Sequence, residues 1–153
     1  RIDGNVLLTI DNHQAAMVTA DGTTIISRTL DGTYPNTQQL IPTSYTHTLT
    51  CSRTQLLHAI ERVSAIGDII KFTADKSLAI TAETDAGSGA ESLAITGTLP
   101  PCAFNASYLI DGLKSMPGDT VTISANTPTS PVVFTPTGID GVTYLVMPIQ
   151  IRS

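Results

Sequence analysis

The sequence predicts an α+β fold in which a unit of one strand, one helix and three strands occurs twice. Two segments with helical periodicity each follow a short apolar strand, and each begins at a capping residue, Ser52 or Asn105. Three segments rich in Val, Ile and Thr follow each helix. The repeated order indicates one domain with two antiparallel sheets outside and two helices inside, related by a pseudo-twofold axis.

Ahead of the first unit, three short strands are predicted at 5–10, 14–20 and 23–30, separated by turns that contain aspartate. Pro35 and Pro42 bracket a stretch without periodicity, which we interpret as an interdomain linker.

The first unit begins with a strand at 47–51, which leads into the capping-box pattern that starts at Ser52. A helix to about residue 66 follows, with an apolar stripe of Leu56, Ala59, Ile60 and Val63. Strands are predicted at 69–74, 78–81 and 92–98, and the glycine-rich stretch 83–90 is expected to be a mobile loop.

The second unit repeats this order, with a strand at 102–104 and an N-cap at Asn105. Leu109, Leu113 and Met116 form the helical stripe, and a Pro-Gly pair ends the helix. Strands are predicted at 120–125, 132–135 and 142–149.

Composition limits the function without identifying it. The net charge is −5, which argues against a protein coated by nucleic acid. No apolar run approaches the roughly 18 residues of a membrane span, so no membrane association is expected. The two cysteines, Cys51 and Cys102, are too few and too far apart for a disulfide scaffold. We expect them to be reduced and buried, which fits a cytoplasmic protein.

Signals of an enzyme are missing from the sequence. There is no nucleophile elbow, no phosphate-binding glycine loop and no zinc-protease motif. His13, His47 and His58 lack the spacing of metal ligands. We therefore expect a protein without catalytic activity, cofactor or metal.

Three segments in order carry a specific resemblance. Residues 30–42 read LDGTYPNTQQLIP, residues 104–110 read FNASYLI, and residues 142–151 read VTYLVMPIQI. They resemble the "DG-x-[YF]-P-D" linker, the "FN-x-x-Y-[LV]-x" helix entry and the "Y-[LV]-[LV]-MP" final strand of the bacterial DNA polymerase III beta subunit, the sliding clamp. The resemblance implies a C-terminal fragment of a three-domain clamp: 1–30 as a remnant of the second domain, 31–45 as the linker and 46–153 as the third domain.

The family resemblance also implies a function. Sliding clamps are non-catalytic processivity factors of DNA replication that form homodimeric rings, with helices lining the hole around double-stranded DNA. The implied partners are DNA, the polymerase III alpha subunit, the clamp loader and other proteins with a clamp-binding motif. In the family these motifs bind a hydrophobic pocket between the second and third domains. The positions that match the pocket here are Pro35, Gln39, Leu40, Pro131, Leu145, Val146, Met147, Pro148, Ile149, Gln150 and Ile151.

The same resemblance suggests two further surfaces. Its DNA-facing positions match Arg53, His58, Arg62 and Lys114, although from the sequence alone a solvated helix face is the simpler explanation of such scattered cations. The ring-closing contact matches Ala65 and Ile66. Gln39 and Gln150 stand where family members commonly carry arginine, which removes two charges from the rim of the pocket.

Two alternatives remain open at this point. A Thr-rich, adhesin-like β-sandwich would explain the many threonines and short strands, but it would not explain two capped helices at equivalent places. In the last strand, Leu145, Met147 and Ile149 could instead fill the core as one face, because side chains alternate along a strand.

Overall fold

The computed structural model describes residues 4–34 and 36–150. The chain separates into two compact units, Arg1–Asn36 and Thr37–Ser153, and the division lies within the predicted linker.

The first unit is a three-stranded antiparallel sheet in the order β1-β2-β3. Its strands are Val6–Ile10 (β1), Gln14–Thr19 (β2) and Thr24–Arg28 (β3), close to the predicted bounds. Asp11 holds the first turn, because its carboxylate accepts hydrogen bonds from the backbone N–H groups of His13 and Gln14 at 2.7 and 2.8 Å. The strands leave large apolar side chains exposed, among them Leu7 at 67% and Ile26 at 65%.

The second unit contains nine strands, two α-helices and one 3₁₀ turn within its described residues. Their bounds are Thr37–Gln39 (the 3₁₀ turn), His47–Ser52 (β4), Arg53–Ser64 (α1), Ile69–Ala74 (β5), Ser77–Thr84 (β6), Gly87–Ala94 (β7), Thr96–Gly97 (β8), Cys102–Asn105 (β9), Ala106–Ser115 (α2), Thr120–Ala125 (β10), Val132–Pro136 (β11) and Tyr144–Val146 (β12).

Both helices begin where the sequence predicts. The Ser52 hydroxyl accepts a hydrogen bond from the Gln55 backbone N–H at 3.4 Å, and the Asn105 side chain accepts one from the Ser107 N–H at 2.9 Å. The predicted stripes face the core of the unit, with Ile60 and Leu109 at most 1% exposed. The α+β fold class is therefore confirmed, and the alternative of a β-sandwich is wrong.

Each of the two sheets combines strands from both sequence repeats. One sheet has the order β12-β11-β10-β4-β8 and the other has the order β7-β6-β5-β9. The strand before α1 therefore pairs with the strand after α2, with Leu49 opposite Ile123. The strand before α2 likewise pairs with the strand after α1, with Ile70 opposite Phe104. Because each sheet needs strands from both repeats, neither repeat forms a complete sheet by itself.

One hydrophobic core lies between the helices and the sheets. Phe104 packs edge to face against Phe72 and Phe134, with ring centroids 5.3 and 6.2 Å away. Cys51 and Cys102 are buried and free, as expected, and burial raises the pKa of each thiol to about 12.

Two predicted segments differ from the structure. The expected mobile loop at 83–90 is wrong, because β6 and β7 form a long hairpin in which Glu83 pairs with Ser88. Its glycines have a packing role: a Cβ at Gly89 would lie 2.9 Å from Cγ1 of Ile66. The predicted strand at 92–98 is also wrong as one strand, because its residues divide between β7 and β8, which belong to different sheets.

Candidate functional site

The C-terminal segment, residues 144–150, changes from buried to exposed between Val146 and Met147. Val146 pairs with buried Val132 and is 6% exposed, whereas Met147 is 57% exposed. The alternative in which Leu145, Met147 and Ile149 fill the core is therefore wrong, since β12 alternates in the opposite sense. Val146 belongs to the core and not to the exposed apolar set.

The segment then passes from one sheet to the other. The predicted strand at 142–149 is shorter than expected, because β12 ends at Val146 and Pro148 has no N–H to donate. One residue later, the Ile149 N–H donates to the Ala103 carbonyl at 2.7 Å, at the edge strand β9 of the four-stranded sheet. Met147 therefore lies between two backbone anchors.

Tyr144 fixes the upstream end of this segment. Its hydroxyl donates to the Tyr108 carbonyl at 2.9 Å, and its ring lies against Gly112 of α2, where an added Cβ would be 2.4 Å from a ring carbon. Burial, with Asp111 second, raises the pKa of Tyr144. No local sequence pattern marks Tyr144 for this role, because only the fold sets its ring against a glycine.

The linker residues contribute a second exposed apolar side chain. Leu40 follows the 3₁₀ turn, donates its N–H to the Thr37 carbonyl at 3.1 Å and is 53% exposed. Further along, the Asn126 side chain accepts from the Thr46 N–H at 2.7 Å and donates to the Ser44 carbonyl at 3.1 Å. Asn126 thus anchors the end of the linker, a role that sequence reasoning missed because the partners are 80 residues apart.

The remaining predicted pocket positions fall into three groups. Pro131 is half-buried, and continuing the β11–β12 register by one pair sets it opposite Met147. Gln39 and Gln150 are exposed, and their side chains are uncharged. Pro35 and Ile151 lie outside the described residues.

The four predicted DNA-facing side chains have different surroundings. Half-buried Arg53 donates to the carbonyls of Leu113 and Gly118 at 2.8 and 2.5 Å, at the C-terminal end of α2. A cation there also complements the partial negative charge of the helix terminus. Arg53 therefore joins the start of α1 to the end of α2, and these contacts use two of its five N–H donors.

Arg62 and Lys114 are exposed, but each has a carboxylate partner. Arg62 contacts Glu91 of β7 with two hydrogen bonds, at 2.7 and 3.1 Å. Lys114 of α2 contacts Glu61 of α1 at 2.9 Å. Hydrogen bonds from these cations lower the pKa of Glu91 and of Glu61. His58 is exposed on α1. The charges of Arg62 and Lys114 are each balanced by a carboxylate.

Ala65 and Ile66 lie just beyond α1. Both are exposed, Ile66 at 40%, and the Ile66 side chain rests on Gly89 of β7. Since β7 is an edge strand of its sheet, this apolar side chain and an unpaired strand edge adjoin each other.

The described residues contain neither a grouped set of metal ligands nor a helix that could span a membrane. Across 4–34 and 36–150, no three His, Cys, Asp or Glu side chains are grouped as a metal site would require. Neither helix in this part of the chain has the length and apolar character needed to cross a membrane.

Comparison with known proteins gives concordant matches. The sequence profile described as "DNA polymerase III beta subunit, C-terminal domain" matches residues 38–150. The beta sliding clamp of Synechococcus elongatus is 42% identical in an alignment of 140 residues that covers 84% of this chain and 37% of that protein. The beta sliding clamp of Staphylococcus aureus is 29% identical over 82% of this chain and 36% of its own length. The chain thus spans little more than a third of these relatives.

Solved structures agree with the sequence matches. A DnaN sliding clamp from Bartonella birtlesii, bound to griselimycin, superposes with a TM-score of 0.86 at 25% identity, over 98% of this chain and 42% of that one. The beta subunit of Thermotoga maritima shares the fold, with a TM-score of 0.83 at 22% identity, over 96% of this chain and 42% of that one. Because the family profile spans most of the sequence, this chain belongs to the DNA polymerase III beta subunit family, the bacterial sliding clamps, and matches its C-terminal domain.

Proposed function

We propose that this chain is the C-terminal part of a processivity factor that tethers DNA polymerase III to duplex DNA and binds client proteins through an exposed apolar surface. Residues 1–30 would belong to the second clamp domain, 31–45 to the linker and 46–153 to the third domain. The observation that carries the client-binding role is the exposure of Met147. This side chain is 57% exposed, and it lies between Tyr144 and Ile149, which are both held by hydrogen bonds.

The client surface consists of Leu40, Met147, Pro148 and Ile149, with Leu145 and Pro131 beside them. Binding is driven by removing apolar side chains from water, which contributes about 1.5–3 kcal/mol for a fully buried Leu or Met. Met147 can adapt its unbranched side chain to different ligands. Because Tyr144 and Ile149 already hold the segment, little backbone entropy is lost on binding. The clients would be the polymerase alpha subunit, the clamp loader and other proteins with a clamp-binding motif.

The DNA-facing role rests on His58, Arg62 and Lys114. Because Glu91 and Glu61 already neutralise two of these cations, few phosphates would be neutralised per clamp domain. Contacts of this kind are weak, independent of base sequence and compatible with sliding. Retention on DNA would then come from closure of a homodimeric ring, with Ala65 and Ile66 at the ring interface. Nothing in this role requires catalysis, and a cytoplasmic location follows from it.

The client-binding role is tested by titrating a labelled peptide that carries a short hydrophobic clamp-binding motif. We expect a Kd of tens of micromolar or weaker, about 6 kcal/mol or less. Met147→Asp should abolish binding, because it buries an unpaired charge in the interface. Met147→Leu should restore most of the affinity, and Arg62→Ala should leave the affinity unchanged.

Both Met147 variants alter an exposed side chain, so their thermal unfolding should match that of the parent chain. Normal peptide binding by the Met147→Asp variant would contradict the proposed surface.

A further inference from the structure

The outer face of the four-stranded sheet carries a cleft that shares only Ile149 with the proposed client surface. Its volume is about 600 Å³. Ile69 and Lys71 of β5 and Glu83 of β6 line its floor, and Ile149 and Gln150 form one side. The cleft therefore begins where the client surface ends, on consecutive residues of the same segment.

Strand alternation assigns the floor of the cleft to the outer face. In β5, Ile70 and Phe72 are fully buried in the core, so Ile69 and Lys71 point away from it. Ile69 is 50% exposed, a large apolar side chain on a polar face. The cleft thus offers an aliphatic patch that is partly exposed.

The side formed by Ile149 is fixed against the sheet. Ala103 lies opposite Lys71 on the same outer face, yet it is only 2% exposed. The Ile149 N–H donates to the Ala103 carbonyl at 2.7 Å, so the C-terminal segment runs along this edge strand. The cleft is consequently a preformed feature with a hydrogen-bonded wall.

The charged and the apolar residues of the cleft lie in different places. Glu83 and Asp85 line the end at the β6–β7 turn, and Lys71 lies across from Thr81. With Lys71 counted, the lining carries a net charge of −1, and both carboxylates lie at the turn end, which favours a cation there. The patch of Ile69 and Ile149 favours an aliphatic side chain.

We infer that this cleft binds the residues that flank a client's hydrophobic motif, and that it selects an aliphatic residue followed by a basic one. The inference rests on the proposed client-binding function. The aliphatic side chain would lie between Ile69 and Ile149, and the basic side chain would face Glu83 and Asp85. Met147 and Gln150 are three residues apart, at most about 10 Å in extended chain, so an extension of three or four residues suffices.

The test compares three peptides on the full chain: the motif alone, the motif with an added Gly-Leu-Lys extension (the Leu-Lys peptide), and the motif with a Gly-Leu-Glu extension (the Leu-Glu peptide). Extensions are placed at either end in separate peptides. At low salt, one Leu-Lys peptide should bind about fivefold more tightly than the motif alone, because it adds apolar contact and an ion pair. The Leu-Glu peptide should gain less, and 0.5 M salt should remove the difference between them.

Variants locate the gain within the cleft. The double change Glu83→Gln and Asp85→Asn should remove the preference for Leu-Lys, while the affinity of the motif alone stays the same. Asp75→Asn is the matched control, because this exposed carboxylate lies in the turn at the other end of the β5–β6 hairpin. If the double variant retains the full preference for Leu-Lys, or if Asp75→Asn removes it equally, the inference is overturned.

Two further outcomes separate the possible failures. If the motif alone binds but no extension improves it, the cleft inference fails and the proposed function stands. If the motif itself does not bind, the proposed function fails.

Discussion

The contact between Gly112 and Tyr144 leads to a prediction about how α2 holds the C-terminal segment that carries Met147. Alanine at position 112 would put its Cβ at 2.4, 2.6 and 2.8 Å from three carbons of the Tyr144 ring. Such distances are shorter than van der Waals contact allows. The ring cannot move freely, since its hydroxyl is bonded to the Tyr108 carbonyl and its backbone pairs with Phe134.

The two effects of Gly112→Ala oppose each other. Alanine is better than glycine in a helix by about 1 kcal/mol. Overpacking of a well-filled site costs about 1–3 kcal/mol. We therefore expect a net loss of about 1 kcal/mol in the free energy of unfolding. In a Tyr144→Ala background the clash is absent, and the same change should stabilise the chain by about 1 kcal/mol.

Urea unfolding of the four proteins of this double-mutant cycle measures the coupling between the two sites, which should be about 1–3 kcal/mol. The Gly112→Ala variant should also bind the motif peptide more weakly, because β12 must shift to relieve the clash. If Gly112→Ala is equally stabilising in both backgrounds, the ring does not constrain this position and the reasoning is refuted.

Three other predictions follow from the helix face and from the family. Arg53→Ala should destabilise the chain by about 1–3 kcal/mol in urea unfolding, because it removes two charged hydrogen bonds, whereas the exposed His58→Ala should have little effect. Because their cationic partners lower the pKa of Glu61 and Glu91, the stability from these pairs is present at neutral pH and is lost as pH falls below the ordinary glutamate pKa of 4.5. The drop in urea midpoint between pH 7 and pH 3 should be smaller in Glu91→Gln, and an unchanged drop would count against the pair. This chain alone, which aligns with 37% of the length of a relative, should not be retained on closed circular DNA, and a retained ring would contradict its proposed place in the clamp.

The sequence predicts the local elements of the fold well, because their signals are local. The cap at Ser52, the helical stripe that includes Ile60 and the strand at 120–125 all depend on residues within a few positions of each other. Strand exchange between the two repeats was not predictable in this way, because β4 and β10 are far apart in sequence. The β6–β7 hairpin was missed for the same reason. Its glycines indicate a loop in the sequence, and the packing of Ile66 on Gly89 is visible only in the fold.

The candidate site was only partly accessible from sequence. Family resemblance pointed to Met147 and Pro148, but the sense of alternation in β12 depends on its register with Val132, which no local pattern gives. The partners of the helix cations were equally hidden, since Glu91 reaches Arg62 across 29 residues. These interactions are tertiary, so only the fold can reveal which charges are already neutralised.

The most direct test of the proposed client-binding role is to map the motif peptide on the isotope-labelled chain by amide chemical shifts. We expect the largest changes on Leu40 and its neighbours and on residues 145–150, and little change in α1 and in α2 beyond Tyr108. Shifts that cluster on His58, Arg62 and Lys114, with Met147 and Ile149 unchanged, would contradict that role.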